Sequence, residues 1–247
     1  MLLEDPGART LAEVLRERRI ELGTALRIAA SVAETLDAVH RRQVIHKDIH
    51  PGNVAYDAVT GEVRLMGFGL AAQLSQEEQR ARAPSALEGA LAYMSPEQTG
   101  RMNRSLDHRS DLYSLGVTLY EMVTGRLPFP ATDPIDLVHS HIAKRPAPPA
   151  EVDPGIPAVV SAIVMKLLAK AAEDRYQSGL GLARDLRECL AQLEATGRIE
   201  PFPLGRHDFT GQLRVPQRLY GREVELGVLL SAFDRTRRGG AELLLVA

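Results

Sequence analysis

A mainly helical protein carrying one small β-hairpin is the fold class that this sequence of 247 residues predicts. Two observations carry it. Several long segments repeat apolar residues at helical spacing, and a single pair of short runs alternates like strands across a turn. A third observation concerns organisation: near residue 198 the pattern gives way to a stretch punctuated by Pro and Gly, which marks a domain boundary.

In chain order, Leu11 to Arg18 reads as a first helix and Leu22 to His40 as a second. Leu22, Leu26, Ala29, Val32, Ala33, Leu36 and Val39 share one face of the second. Thr24 is expected to help start it, and Arg41 and Arg42 suit the negative end of its dipole. The polar stretch His46 to Asn53, H-K-D-I-H-P-G-N, follows at once and reads as a surface loop on a fixed scaffold. Val54 to Tyr56 and Val63 to Met66 then form the hairpin across Thr60-Gly61.

Gly67-Phe68-Gly69 comes directly after the second strand. Gln73 to Glu88 is polar and helix-poor, long enough for a functional loop. Asp111 to Gly125 is apolar nearly all round, which predicts a buried central helix with Gly125 as its C-cap. Leu137 to Ala143, Val159 to Ala171 and Leu180 to Leu193 complete the helices, with the Pro-rich stretch Pro146 to Pro157 between the first two. A second unit is expected to open at Gly221, with apolar Val224, Leu226, Leu229, Leu230 and Phe233 on a helix and Glu242 to Ala247 as a buried strand.

Composition excludes several classes. A formal net charge of -2 argues against a nucleic-acid binder, which carries a basic excess. No apolar run reaches the roughly 18 residues of a membrane span, and the N-terminus does not read as a signal peptide. A cytoplasmic protein is therefore the expectation. The lone Cys189 fits a reducing interior and reads as a small buried apolar residue.

The chemistry sits in His46 to Asn53. Considered alone, Asp48 and Asn53 read as turn-forming Asx residues. The surrounding markers decide between the readings. His46-Lys47-Asp48 with Asn53 resembles the catalytic loop H-R-D-x-x-x-x-N of protein kinases, and Phe68-Gly69 follows a hairpin as in that family's magnesium loop. Ser95-Pro96-Glu97 stands where A-P-E ends the activation segment. Asp111 opens a stretch similar to the family's buried helix, and Arg175 falls where an Arg pairs with that glutamate. The resemblance covers about residues 1 to 197 and is to the larger, C-terminal lobe of a protein-kinase fold.

Longer stretches, L-A-Y-M-S-P-E-Q-T-G-R-M-N-R and V-P-Q-R-L-Y-G-R-E among them, resemble the N-terminal region of large bacterial signalling proteins. Those join a serine/threonine-kinase-like domain to a P-loop NTPase and often to sensor and histidine-kinase modules. On that resemblance residues 198–220 are a linker, and residues 221–247 begin an α/β P-loop NTPase domain that ends before its phosphate loop.

The resemblance implies ATP and Mg2+ as cofactors, a protein substrate or regulatory partner, and adjoining NTPase and sensor modules, with no nucleic acid and no membrane. It implies Asp48 as proton acceptor, Asn53 as magnesium ligand and His50 at the position of a phosphate-contacting Lys. His46, Phe68, Gly69, Glu97, Asp111 and Arg175 are implied to be structural, Asp111 by accepting backbone N–H bonds from the catalytic loop. Two departures stand out. Gly67 occupies the place of the magnesium-binding Asp and offers no side-chain oxygen. No Gly-rich loop, V-A-x-K lysine or helix glutamate accompanies the lobe, so a fragment of a longer product is expected. The expected function is a serine/threonine kinase domain impaired by both, the alternative being a pseudokinase module that controls an adjoining NTPase.

Overall fold

The hairpin and the helix before it build a frame around residues 46–53, and the remaining helices hold that frame from below. The structure is a computed structural model, and residues 9–73, 91–100, 106–130 and 133–209 are described; they belong to one compact unit. Strand β1 (Arg9–Thr10) leads straight into α1 (Leu11–Glu17). Thr10 caps that helix reciprocally with Glu13, whose carboxylate accepts the Thr10 N–H at 2.8 Å while the Thr10 hydroxyl oxygen accepts the Glu13 N–H. Helix α2 (Leu22–Arg41) buries Leu26, Ala29, Ala33 and Leu36 as its spacing predicts. Thr24 does not start it: Glu21 stands at the cap position and makes no side-chain bond there.

Strand β2 (Val44–Ile45) follows α2, and β3 (Val54–Tyr56) and β4 (Val63–Leu65) form the hairpin, with Val54 opposite Leu65 and Tyr56 opposite Val63. Strand β1 adds to its free edge, Arg9 opposite Tyr56, while β2 pairs antiparallel with β5 (Ala72–Gln73). The Asp57 carboxylate shapes the hairpin loop by accepting from the Val59 N–H and the Thr60 hydroxyl, both at 2.8 Å.

Helix α3 (Arg109–Thr124) is buried along almost its whole length and ends at Gly125, whose φ of +74° supplies the left-handed turn that a C-cap requires. Helix α4 (Pro134–Ala143) starts three residues earlier than its apolar pattern, because Asp133 caps it through the Ile135 and Asp136 N–H groups and Pro134 takes the first position. The Pro-rich connection contains a short helix, α5 (Pro149–Val152). Helix α6 (Ala158–Leu167) stops short of the expected Ala171, and α7 (Gly179–Thr196) packs along α2. Cys189 on α7 is fully buried and unpaired, and burial pushes its thiol up to about 12, so it acts as an apolar residue.

The expected linker is corrected for its first part. Residues 198–209 fold back onto the body, with Ile199, Phe202 and Leu204 against the core. The Asp208 carboxylate accepts from the Gln177 N–H, the Ser178 N–H and the Ser178 hydroxyl at 2.7 to 2.9 Å. The remainder of that segment, the expected helix and strand of residues 221–247, and nearly all of the polar stretch 73–88 lie outside the described residues. Among the described residues no helix is long and apolar enough to cross a membrane.

Candidate active site

Lys47 sets the course of the loop. It holds a positive φ of 69°, a conformation that side-chain-bearing residues resist, so the surroundings must enforce it. Asp111, at the start of α3 and 1% exposed, does much of this. One carboxylate oxygen accepts the Lys47 N–H and the other accepts the His46 N–H, each at 2.8 Å. The second oxygen also takes the Nε2–H of His40 at 2.8 Å. Three donors offset the cost of burying this charge.

His46 is fully buried and locked at both ring nitrogens. Its Nδ1 accepts the Asp48 N–H at 3.3 Å, so Nε2 carries the proton that it donates to the Met66 carbonyl at 2.7 Å. Phe68 sets its edge against this ring, 4.5 Å between centroids. Phe68 is 44% exposed, so its contact with His46 leaves much of the residue at the surface. Gly69 gains no steric reason either: a Cβ there meets nothing within 4 Å.

His50 caps the short turn Pro51–Asn53 by accepting the Gly52 N–H at Nδ1, 3.1 Å. Its proton therefore resides on Nε2, which stands 3.7 Å from an Asp48 carboxylate oxygen. That separation is beyond a hydrogen bond, and the contact is a polar one between the imidazole and the carboxylate. Gly52 leaves room for the ring, since a Cβ there would fall 2.8 Å from His50 Cε1. The ring is thus hydrogen-bonded within its own loop at Nδ1 and faces the Asp48 carboxylate with Nε2.

Asn53 bends inward. Its Nδ2 donates to the Asp48 carbonyl at 2.8 Å and to the Asp48 carboxylate at 2.9 Å. His50 first, then Asn53 and His46, hold the Asp48 carboxyl below its usual range against the opposing effect of burial, so it is ionised at neutral pH. Its other oxygen, Oδ1, is buried with no hydrogen-bond partner among the described residues.

The hairpin register explains where the Asn53 amide lies. Val54 pairs with Leu65, and the Met66 N–H donates to the Asn53 carbonyl at 2.8 Å, which brings Gly67 against Asn53. Gly67 adopts a φ of +79°, and a Cβ on it would fall well inside 3.0 Å of the Asn53 carboxamide. The amide fills the space in which a residue-67 side chain would start.

Glu97 and Arg175 form a separate centre. The guanidinium grips the Glu97 carboxylate in a two-pronged pair at 2.6 and 2.9 Å. Burial raises the Glu97 carboxyl, and Arg175 more than reverses that, leaving it below its usual value. The remaining Arg175 donors reach the carbonyls of Ala169, Arg109 and Lys170 at 2.8 to 3.2 Å. Gln98, beside Glu97, was not singled out by sequence reasoning, although S-x-x-Q at Ser95 to Gln98 is a capping-box signature. Its Nε2 donates to the Lys47 carbonyl at 2.9 Å. A hollow of about 390 Å3 lined by Ile20, Leu22, Val123 and Ile156 includes none of these residues.

A buried helix-borne carboxylate holding an Asp-bearing loop, a hairpin behind the loop, and a buried Glu–Arg pair thus share one frame. Residues 1–186 match the protein kinase domain family. Over 162 residues the chain is 36% identical to serine/threonine-protein kinase PknB of Mycobacterium tuberculosis, covering 66% of this chain and 25% of that protein. It is 33% identical over 224 residues to a probable serine/threonine-protein kinase of Corynebacterium efficiens, covering 89% of this chain and 33% of that one. It is 38% identical over 175 residues to hybrid signal transduction histidine kinase G of Dictyostelium discoideum, covering 63% of this chain and 5% of that protein. The chain spans a third or less of the length of these curated relatives. With three quarters of its residues inside the family match and its loop, hairpin and buried pair in one frame, this chain belongs to the protein kinase domain family.

Proposed function

We propose that this chain is a serine/threonine-kinase-family domain of a bacterial signalling protein in which phosphoryl transfer is impaired and the fold serves as a binding and regulatory module. The observation that carries this reading is the Asn53 carboxamide lying where a side chain on Gly67 would begin. The family generally uses ATP and Mg2+. Magnesium asks for hard oxygens in near-octahedral array, usually including one or two carboxylates. Here Gly67 offers no carboxylate, and with Asn53 Nδ2 turned to Asp48 its carboxamide oxygen is the neutral ligand left beside that gap. The residues present do not fit that ion.

The assignment of residues 1–197 to the larger, C-terminal lobe belongs to this proposal. The order of helix, loop, hairpin and buried helix through α7 supports it. In the same proposal an adjoining NTPase, opened by residues 221–247, is the regulated partner; the support for it is the apolar run Glu242 to Ala247 and the stretch V-P-Q-R-L-Y-G-R-E. The name of the Dictyostelium relative, a hybrid signal transduction histidine kinase, accords with a multidomain signalling parent.

A second reading has one observation in its favour. Asp48 is ionised and its loop is pinned by Asp111, the state in which a carboxylate accepts a hydroxyl proton in phosphoryl transfer. Incubation with radiolabelled magnesium-ATP and a generic Ser/Thr protein substrate separates the two. The proposal expects no transfer above that of Asp48→Ala. Clear transfer that vanishes in Asp48→Ala would overturn it in favour of an active kinase.

A further inference from the structure

We propose that Gln98 is a positioning residue for Asp48. Its carboxamide bridges the Pro96–Thr99 turn to the Lys47 carbonyl, and the left-handed backbone ahead of Asp48 is held in place through that bridge. The proposal rests on the reading of residues 46–53 as a kinase-family catalytic loop.

The amide's orientation is unambiguous. Gln98 Oε1 accepts the Ser95 N–H at 3.0 Å and the Ser95 hydroxyl at 2.9 Å. A backbone N–H only donates, so the oxygen end of the amide must face Ser95 and the NH2 end must face Lys47. The NH2 group then donates to the Lys47 carbonyl at 2.9 Å. Lys47 is thus held from both sides: Asp111 takes its N–H at 2.8 Å, and Gln98 gives to its carbonyl. Its positive φ is shared among the described non-glycine residues only with Gln43. That carbonyl belongs to the peptide that continues into the Asp48 N–H, which His46 Nδ1 accepts. A rotation of this peptide would carry the Asp48 side chain with it.

The far end of the bridge is anchored as well. Glu97, next to Gln98, accepts from the Ser110 hydroxyl at 2.8 Å and from the buried Arg175 guanidinium. A path therefore runs from Arg175 by hydrogen bonds to Glu97, along the backbone to Gln98, and by a hydrogen bond to the peptide between Lys47 and Asp48. Displacement of the Pro96–Thr99 turn withdraws the donor from Lys47 and frees the peptide before Asp48. In this way the conformation of residues 95–98 reaches the loop without touching Asp48.

The competing view is that Gln98 only completes a capping box with Ser95. Two substitutions distinguish the roles. Gln98→Glu keeps an oxygen for Ser95, because Glu serves a capping box as well as Gln, but it turns the donor facing Lys47 into an acceptor. Ser95→Ala weakens the box and leaves the donor in place. The readout is amide hydrogen exchange at Lys47 and Asp48 on the full chain, alongside the melting midpoint. Gln98→Glu is expected to accelerate exchange at both amides by at least about tenfold, while Ser95→Ala leaves them near the parent rates. Unchanged exchange in Gln98→Glu would overturn the proposal, as would equal acceleration in both variants. Exchange reports the backbone whether or not Asp48 transfers phosphate, so an active or an inactive domain leaves this test standing.

Discussion

The Glu97–Arg175 centre is withdrawn from water and the Asp48–Asn53–Gly67 cluster only partly so, and their polar groups are satisfied in opposite ways. All five N–H donors of Arg175 have acceptors, two on Glu97 and three on backbone carbonyls. The Asp48 carboxylate keeps one buried oxygen without a partner among the described residues, and its neighbour Asn53 turns toward Asp48 and over Gly67. A completed network is what a fold needs for stability, and an open acceptor is what a site offers to a ligand. The contrast sets a buried pair whose bonds are complete against a loop whose acceptor stays open beside Gly67, the position on which the proposed impairment turns.

The largest expected effect tests the stability side of this contrast. Arg175→Ala strands the buried Glu97 charge and should cost about 3–5 kcal/mol, read as a fall in the melting midpoint. Asp48→Ala, which removes a carboxylate that is already incompletely bonded, should cost under about 1 kcal/mol. Equal losses in the two variants would erase the distinction.

The pH dependence sharpens the same side. His141 on α4 accepts or donates at Nδ1 to the Tyr113 hydroxyl at 2.9 Å, and the Arg175 guanidinium lies 4.8 Å from the centre of the Tyr113 ring. Burial first, then the Lys170 charge, lower His141 from 6.5 to about 4. The unfolded chain therefore binds this proton more readily than the folded one. The stability that neutral His141 preserves is fully present above pH 6.5 and is lost as pH falls toward 4, by up to about 3 kcal/mol. Glu97 adds a loss at lower pH, since its depressed carboxyl stabilises the fold above the ordinary carboxylate range and ceases to do so as pH falls through its folded value. Denaturant midpoints across pH 4 to 7 should show the first slope in the parent and a much shallower one in His141→Gln.

The loop side carries smaller effects. Gly67→Asp forces a side chain into a left-handed position already filled by the Asn53 amide, so it should destabilise by about 1–3 kcal/mol. The same substitution should not restore phosphoryl transfer in a radiolabelled ATP assay, because the new carboxylate cannot take its place until Asn53 moves. A gain of transfer from that single change would show that the cluster opens readily. In an Asn53→Ala background the Gly67→Asp penalty should shrink, with a coupling of about 1 kcal/mol in a double-mutant cycle. Additivity would mean that the amide yields without cost.

Much of the scaffold was legible because it is written locally. The apolar spacing of α2 and α3, the Gly125 cap and the hairpin are properties of neighbouring residues. Asp111, Glu97 and Arg175 could be placed through motif order, and the structure brings Asp111 to the loop amides and Arg175 to Glu97. What escaped depends on distant residues. Strands β1, β2 and β5 are two residues long and have no periodicity to read. Asp208 reaches back to Ser178 from a stretch whose Pro and Gly content reads as a linker. Gln98 meets a carbonyl 51 residues away, and carbonyls carry no sequence signature. The departure at Gly67 was visible, but the Asn53 amide over it follows from the hairpin register and a positive φ.

Paramagnetic broadening by Mn2+ as a stand-in for magnesium, followed at the Asn53 side-chain amide and the Asp48 backbone amide in the presence of ATP, tests the altered site most directly. No broadening is expected at these signals beyond that of the exposed carboxylates Glu17 and Glu194. Selective, saturable broadening at Asn53 and Asp48 would contradict it, for it would show that the cluster over Gly67 opens to hold a divalent cation.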